Sequence, residues 1–277
     1  MTHASQAADP TPRGSAATYA DIRAVNWSSL KHMAVSPLLY RWRIDNPAPR
    51  SAALSVGSAI HCALLEPGKF DSRYAMYDGR RAGKDWDKWQ EDHPGVESLK
   101  PDEMERVEKT VAAIRSHRVA SRLVSGCRFE EATTWVDKET GLACKGRLDA
   151  IAPTYIVDLK SARDPSPKKF ERATAEYLYH GQLAFYLDGA VCAGKIEEGC
   201  PSYIIAAQSD EPYDVSAFQT AVETIDAGRA LYRSLLRRLV QCTEADFWPG
   251  CCPDLTPLFL PKWAVEQDAG SITEEDF

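Results

Sequence analysis

Asp149, Asp158 and Lys160 are the residues whose types and spacing most directly suggest chemistry. Residues 142–151 and 155–160 read as two strands joined by a tight turn at Pro153–Thr154, which sets Asp149 opposite Asp158. Directly opposed residues share a face, with Cβ atoms roughly 4.5–5.5 Å apart. Lys160, two residues beyond Asp158, projects from the same face, as does Ile156. Val157 and Leu159 point the other way, into a core. Two carboxylates held that close repel each other unless a cation lies between them. Two acids and a lysine on one face therefore suit a hard divalent cation, Mg²⁺ or Mn²⁺. Such an ion polarises a phosphate oxygen and lowers the pKa of a bound water. Lys160 can orient that water or stabilise the phosphorane charge. The plain alternative is a surface hairpin with an Asp–Lys ion pair across its strands.

Further residues could join this chemistry. Gln182 and Tyr186 stand four apart in a helical stretch and so share a helix face. An amide and a phenol there can hold a phosphate or a base edge. Tyr179 and His180 lie nearby but are expected on other faces. His61, in GSAIH at 57–61, can offer a neutral imidazole to the same metal, and Gly57 and Ser58 permit a close backbone approach. Arg80, Arg81, Lys84 and Lys88 interleave with Trp86 and Trp89, a mixture that can clamp phosphates and stack on exposed bases. Asp85 and Asp87 dilute that charge, so an ordinary solvated helix is the competing reading. Lys168, Lys169 and Arg172 could extend a basic rim.

The elements that must position these groups follow from periodicity. Residues 1–18, rich in Ala, Ser, Thr and Pro, are expected to be disordered. Two short helices are predicted between Asn26 and Arg43, with Ser28 capping the first and Ser36–Pro37 opening the second. A helix is expected over about 54–66, stopped by Pro67–Gly68. A loop running into a helix is expected over 78–93, and a strong helix after Pro101–Asp102. Strands follow at Thr133–Asp137, 142–151 and 155–160. After them come a long helix over about 170–193, a strand at 203–207 and a last helix over about 216–240. Residues 266–277 form an acidic tail. The chain thus reads as a single domain over 19–265, with its core at about 102–208.

The 277-residue chain carries 33 Lys and Arg against 40 Asp and Glu, a formal charge of −7. At first sight this argues against a nucleic-acid partner, because phosphate binding needs clustered positive charge. The negative charge, however, collects in the candidate metal site, in the 91–108 stretch and in the tail. The basic groups are local, at 80–88 and 168–172. No apolar run approaches the roughly 20 residues that span a bilayer, so no membrane role is expected. The first residues lack the basic start and apolar stretch of a secretory signal, and a cytoplasmic location is expected. The eight cysteines include no C-x-x-C pair, so a thiolate metal site is not expected.

Together these features resemble the PD-(D/E)xK nuclease superfamily, specifically its RecB-like branch. The order helix, strand, strand, strand, helix, strand from 102 to 208 matches that core. Asp149…Asp158-Leu159-Lys160 matches the signature, and Gln182-Leu-Ala-Phe-Tyr186 matches the branch's Q-x-x-x-Y element. The resemblance is greatest to the nuclease domain of RecE (exonuclease VIII) and related phage exonucleases. It is carried by SPLLYRWR at 36–43, GSAIHCALLEP at 57–67, GRRAGKDW at 79–86, TGLACKGRLDAI at 140–151, IVDLKSARD at 156–164 and YHGQLAFY at 179–186. It implies an α/β (α+β) fold: a restriction-endonuclease-like core with a central mixed sheet flanked by helices, plus extra N- and C-terminal helices. It implies a Mg²⁺- or Mn²⁺-dependent exonuclease acting on ends of linear double-stranded DNA, on the 5′ strand, in phage-type recombination. A RecT-type single-strand annealing protein and a ring-shaped homo-oligomer, trimer or tetramer, are the implied partners. By position, His61, Asp149, Asp158 and the Leu159 carbonyl would bind metal and Lys160 would be catalytic. Gln182 and Tyr186 would support the site, with Glu131 a weaker candidate. Arg80, Arg81, Lys84 and Trp86 are the candidate DNA contacts. The four-cysteine pattern of cluster-bearing relatives is missing, so no iron–sulfur cluster is expected. The alternatives are a structure-specific or restriction-type endonuclease of the same superfamily, and a non-catalytic module that binds DNA ends.

Overall fold

The computed structural model describes residue 19 and residues 22–46 and 52–261. The segment expected to be disordered (1–18) and the acidic tail (266–277) lie outside the described residues.

The N-terminal part is helical. In chain order come α1 (Trp27–Leu30), α2 (Pro37–Asp45), α3 (Ala52–Leu65) and α4 (Phe70–Arg73). Ser36 caps α2 as expected, its Oγ accepting the Leu39 N–H at 3.0 Å. The cap of α1 is Asn26 rather than Ser28: Asn26 Oδ1 takes the Ser29 N–H at 3.0 Å, and the Ser28 hydroxyl donates to that same oxygen. Next come β1 (Tyr74–Met76), α5 (Lys84–Asp92) and β2 (Glu97–Leu99). The strands β1 and β2 form a parallel pair not anticipated from the sequence. Three residues each are too few to show an alternation. The helices α6 (Pro101–Ser116) and α7 (Ala120–Val124) follow.

The central sheet contains β3 (Arg128–Val136), β4 (Ala143–Ala152), β5 (Tyr155–Ala162), β6 (Ser202–Gln208) and β7 (Val215–Gln219), in that spatial order. It is mixed, since β5 and β6 run parallel and the other neighbours antiparallel. Between β5 and β6 lie α8 (Pro167–Glu176) and α9 (Tyr179–Cys192); α10 (Val222–Ala245) closes the described fold. The expected single helix over 170–193 is therefore two. Leu178 separates them in the left-handed region, at φ 58°. The break lets α8 set Phe170 against Phe218 of β7, ring centroids 5.1 Å apart, while α9 crosses the sheet beside β3 and β4. Residues 215–219, expected at the start of the last helix, are a strand because β6 offers them a partner, as in Ile204↔Phe218.

Both faces of the sheet are buried. On one side Ile156, Leu148 and Ile204 meet Trp27, Leu30, Leu183, Phe185 and Leu236 from α1, α9 and α10. On the other, Val157, Leu159 and Ile205 meet Ile60 of α3 and Val107, Val111 and Ile114 of α6. Fully burying one such side chain stabilises by about 1.5–3 kcal/mol, against 0–1 for an exposed ion pair such as Arg41–Asp45. Apolar layering therefore sets the architecture, and the polar groups of the site are held by it.

Candidate active site

The turn at Pro153–Thr154 sets the anticipated register, Ala152↔Tyr155, Ile151↔Ile156 and Ala150↔Val157. The ladder ends there, one pair short of Asp149 and Asp158. Beyond it, the Leu159 N–H donates to Asp149 Oδ2 at 2.8 Å. The two strands separate at the point where the carboxylates begin.

A second irregularity lies across β4. Phe129↔Ala150 and Glu131↔Leu148 are paired, but Glu130 and Asp149, which stand between them, are not. Glu130 has φ 50°, an uncommon conformation for a residue with a Cβ. The alternation of faces also slips here: Leu148 and Ile151 both pack on the α9 side, whereas Ala150 packs on the α3 side. The slip turns Glu130 and Asp149 into the space where β4 and β5 part. His61 of α3 reaches the same space, its Nδ1 3.7 Å from Asp149 Oδ2. Ligand atoms of His61, Glu130 and Asp149 all lie within 4.8 Å of one another.

Behind this group lies a more deeply buried one. Asp158 is 3% exposed and faces α9. The Lys160 ammonium pairs with Asp158 Oδ2, an atom with no hydrogen bond of standard geometry. Gln182 bridges the two, its Nε2 donating to Asp158 Oδ1 at 3.3 Å and its Oε1 accepting from Lys160 Nζ at 3.0 Å. Lys160 Nζ also sits 4.8 Å from the centroid of the Tyr179 ring. Tyr179 thus belongs to the site, contrary to the sequence reading. As the first residue of α9 it stands three before Gln182, and i, i+3 residues share a face. His180, in contrast, lies away from it, beside the Thr174 carbonyl. Tyr186 packs its ring against Gly146, where a Cβ would come within 2.9 Å.

The electrostatics follow from this crowding. Burial raises the pKa of Asp158 above the carboxylate range, and Asp149 adds to the rise against the pull of Lys160. Burial works against the Lys160 ammonium, but Asp158 and Asp149 more than offset it, so its pKa is raised. Burial raises Glu130, opposed chiefly by Arg147 and reinforced by Asp149. Burial also pushes the Tyr186 phenol up.

These groups border a cleft of about 1100 Å³ lined by residues from α3, β3, β4, β5 and α9. Its wall includes His61, Glu130, Asp149, Leu159, Lys160, Gln182 and Tyr186. Of the residues expected at one ion, His61 and Asp149 converge, Leu159 contributes its N–H to Asp149, and Asp158 lies deeper with Lys160. Glu131 is not in the group: it pairs with Lys195 and points away, and its neighbour Glu130 takes that place. The signal for Glu130 was present in the sequence, since extending the β3–β4 register sets it opposite Asp149. The basic stretch lies apart from the cleft wall. Arg81 is committed within the fold, to Ser98 (2.9 and 2.7 Å) and Glu103 (2.6 Å). Trp86 stacks on Trp89, centroids 5.2 Å apart, and Arg80 and Lys84 are exposed. Within residues 78–93, the cleft is bordered by Gln90, near the end of α5, and by His93.

The donor set suits a hard or borderline divalent cation: one imidazole and two carboxylates, with mutual repulsion that a cation would relieve. Asp158 Oδ2, buried without a well-formed hydrogen bond, is a further oxygen of the same kind. Glu130 Oε2 is paired with Arg147 Nε at 2.7 Å, so the same carboxylate serves both the guanidinium and the ligand group.

A mixed sheet with Asp149, Asp158 and Lys160 at its splayed strands, flanked by helices on both faces, is the PD-(D/E)xK nuclease fold. The family described as a PDDEXK-like domain of unknown function (DUF3799) matches residues 27–256, and the chain belongs to it. Among solved structures, a crystal structure at 2.19 Å described as a "putative exonuclease" from Eubacterium rectale is similar in fold. Its TM-score is 0.61 at 19% identity, covering 89% of this chain and 93% of that one. No curated protein matches.

Proposed function

We propose that this chain is a metal-dependent DNA exonuclease that hydrolyses phosphodiester bonds from the ends of linear double-stranded DNA, starting on the 5′ strand. The observation that carries the reading is the convergence of His61, Glu130 and Asp149 beside the Asp158–Lys160–Gln182 group in one open cleft. His61, Glu130 and Asp149 would hold Mg²⁺ or Mn²⁺, with Asp158 behind them. When bound, that ion supplies Lewis acidity toward a phosphate oxygen and acidifies water.

The chain's own groups divide the remaining work. Lys160, its pKa raised by two carboxylates, is an ammonium at neutral pH. It therefore donates hydrogen bonds, to the attacking water or to the charge that develops on phosphorus oxygens, and does not act as a general base. Gln182 holds Lys160 and Asp158 at fixed separation, and Tyr179 backs the ammonium with its ring face. Tyr186, with its pKa pushed up, stays a neutral phenol able to donate a hydrogen bond. The single-strand annealing partner and the ring-shaped homo-oligomer remain part of this proposal on the strength of the sequence resemblance.

The test is digestion of linear duplex DNA labelled at the 5′ or 3′ end, with Mg²⁺, with Mn²⁺ and with chelator. Metal-dependent release of 5′ label first, lost in Asp158→Ala and Lys160→Ala proteins that still melt cooperatively, is expected. Cutting of covalently closed circles would shift the reading to an endonuclease. Tight DNA binding without turnover in either metal would shift it to a binding module.

A further inference from the structure

Arg147 stands two residues before Asp149 on β4, in the wall of the same cleft. Its Nε is 2.7 Å from Glu130 Oε2, and its Cζ is 5.8 Å from the centroid of the Tyr19 ring. The two partners differ sharply in exposure: the Arg147 side chain is 53% exposed and that of Glu130 is 14% exposed. Glu130 has its backbone in the left-handed region and its carboxylate among those of Asp149 and Glu66. Arg147 is therefore the counter-charge that holds this carboxylate in place. Its half-exposed side chain can leave Glu130 for solvent.

Resting on the nuclease reading, we propose that Arg147 is an exchangeable counterion: it holds Glu130 in the metal-free protein, yields that carboxylate to the divalent cation, and turns to a phosphate of the bound DNA strand. The argument is one of competing ligands. A divalent cation beside His61 and Asp149 offers Glu130 a doubly charged partner within the cleft, where Arg147 offers a single charge at its rim. A guanidinium so released has five N–H donors and a planar fork that matches a phosphate. Metal and DNA then bind with positive coupling, because each removes the partner that the other would have to displace. Arg147 acts through Glu130 and the phosphate, and is a positioning residue.

The test measures Mn²⁺ affinity of the full chain by electron paramagnetic resonance, with and without a short phosphorothioate duplex that resists hydrolysis. In wild-type protein the duplex should tighten Mn²⁺ binding by roughly 5-fold or more, the usual lower range of such couplings. In Arg147→Gln, Mn²⁺ should bind more tightly than in wild type without DNA, and the duplex should improve it by a smaller factor than in wild type, leaving only the direct contact between metal and phosphate. Arg147→Lys should restore part of the coupling. The gain in affinity should vanish in a Glu130→Gln background, which separates direct competition from loss of a distant positive charge. Unchanged or weaker Mn²⁺ binding in Arg147→Gln, or a gain that persists without Glu130, would overturn the proposal. These readouts need no turnover. A wild-type protein that shows the exchange but degrades no DNA would overturn the nuclease reading and leave the exchange standing.

Discussion

Lys160 and Asp158 illustrate how one contact can serve both stability and chemistry. Asp158 is almost fully enclosed, and its charge is balanced inside the fold by Lys160 and Gln182. Removing one partner of a buried pair typically costs about 3–5 kcal/mol, because the other charge is left stranded. Lys160→Ala should therefore lower stability in urea titration of the metal-free protein. The double variant Asp158→Ala/Lys160→Ala should be less destabilised than Lys160→Ala alone. Equal or additive losses would show that the pair is not energetically coupled. Both variants should lack nuclease activity. The adjacent glutamates make the complementary point. Glu130 and Glu131 are chemically identical, yet one faces the metal-ligating group and the other meets Lys195. Glu130→Gln should weaken Mn²⁺ binding, and Glu131→Gln should leave it unchanged, as read by metal titration.

At the scale of elements, the site depends on helices lying very close to their neighbours. A Cβ at Gly228 of α10 would come 2.2 Å from the His180 carbonyl oxygen of α9, a backbone atom that cannot swing aside. Gly228→Ala should separate the two helices and cost at least the ~1–3 kcal/mol of ordinary overpacking. At Gly146 the obstacle is the Tyr186 ring, so Gly146→Ala should cost less stability but more activity, by moving the helix face that carries Gln182. Gly68, with nothing within 4 Å, provides the neutral control for both. Thermal melts alongside nuclease assays would separate these effects. A Gly146→Ala protein with normal activity would contradict the claim that Tyr186 packing positions Gln182. The slip in β3 and β4 belongs to this scale as well: it re-aims two carboxylates without adding a residue to either strand.

Across the whole molecule, the charge of −7 is resolved by its distribution. The cleft wall brings Arg73, Arg147 and Lys160 together with Glu66, Glu97, Glu130 and Asp149, so the protein alone offers DNA no net positive groove. Duplex binding should therefore need a divalent cation. Fluorescence anisotropy with a labelled duplex should show weak binding in chelator and markedly tighter binding in Ca²⁺, falling again as salt rises. Equal affinity in both conditions would place the DNA path elsewhere, for instance along α5. The cation should also stabilise the fold. At 100 times its dissociation constant a ligand contributes about 2.7 kcal/mol, a rise of several degrees in Tm, which His61→Ala or Asp149→Asn should largely abolish. Among the described residues no helix is long and apolar enough to cross a membrane.

What could be read from the sequence was local. A two-residue turn and period-two alternation set Ala150 against Val157, and so aligned the segments bearing Asp149, Asp158 and Lys160. Ser36 and Pro37 marked the start of α2, and the order helix, three strands, helix, strand from α6 to β6 followed from periodicity, apart from the short α7 and the division of the later helix into α8 and α9. What needed the tertiary structure was whatever depends on a distant partner. Val215–Gln219 is a strand only because β6 lies beside it, and the helix break at Leu178 arises where two helices must take different neighbours. Tyr179 joins Lys160 only after that break. The register sets Glu130 opposite Asp149, but that both turn into the cleft depends on the break in pairing the two strands share at that position. Side-chain alternation is a property of one strand; where the alternation changes phase is decided by the strands and helices packed against it.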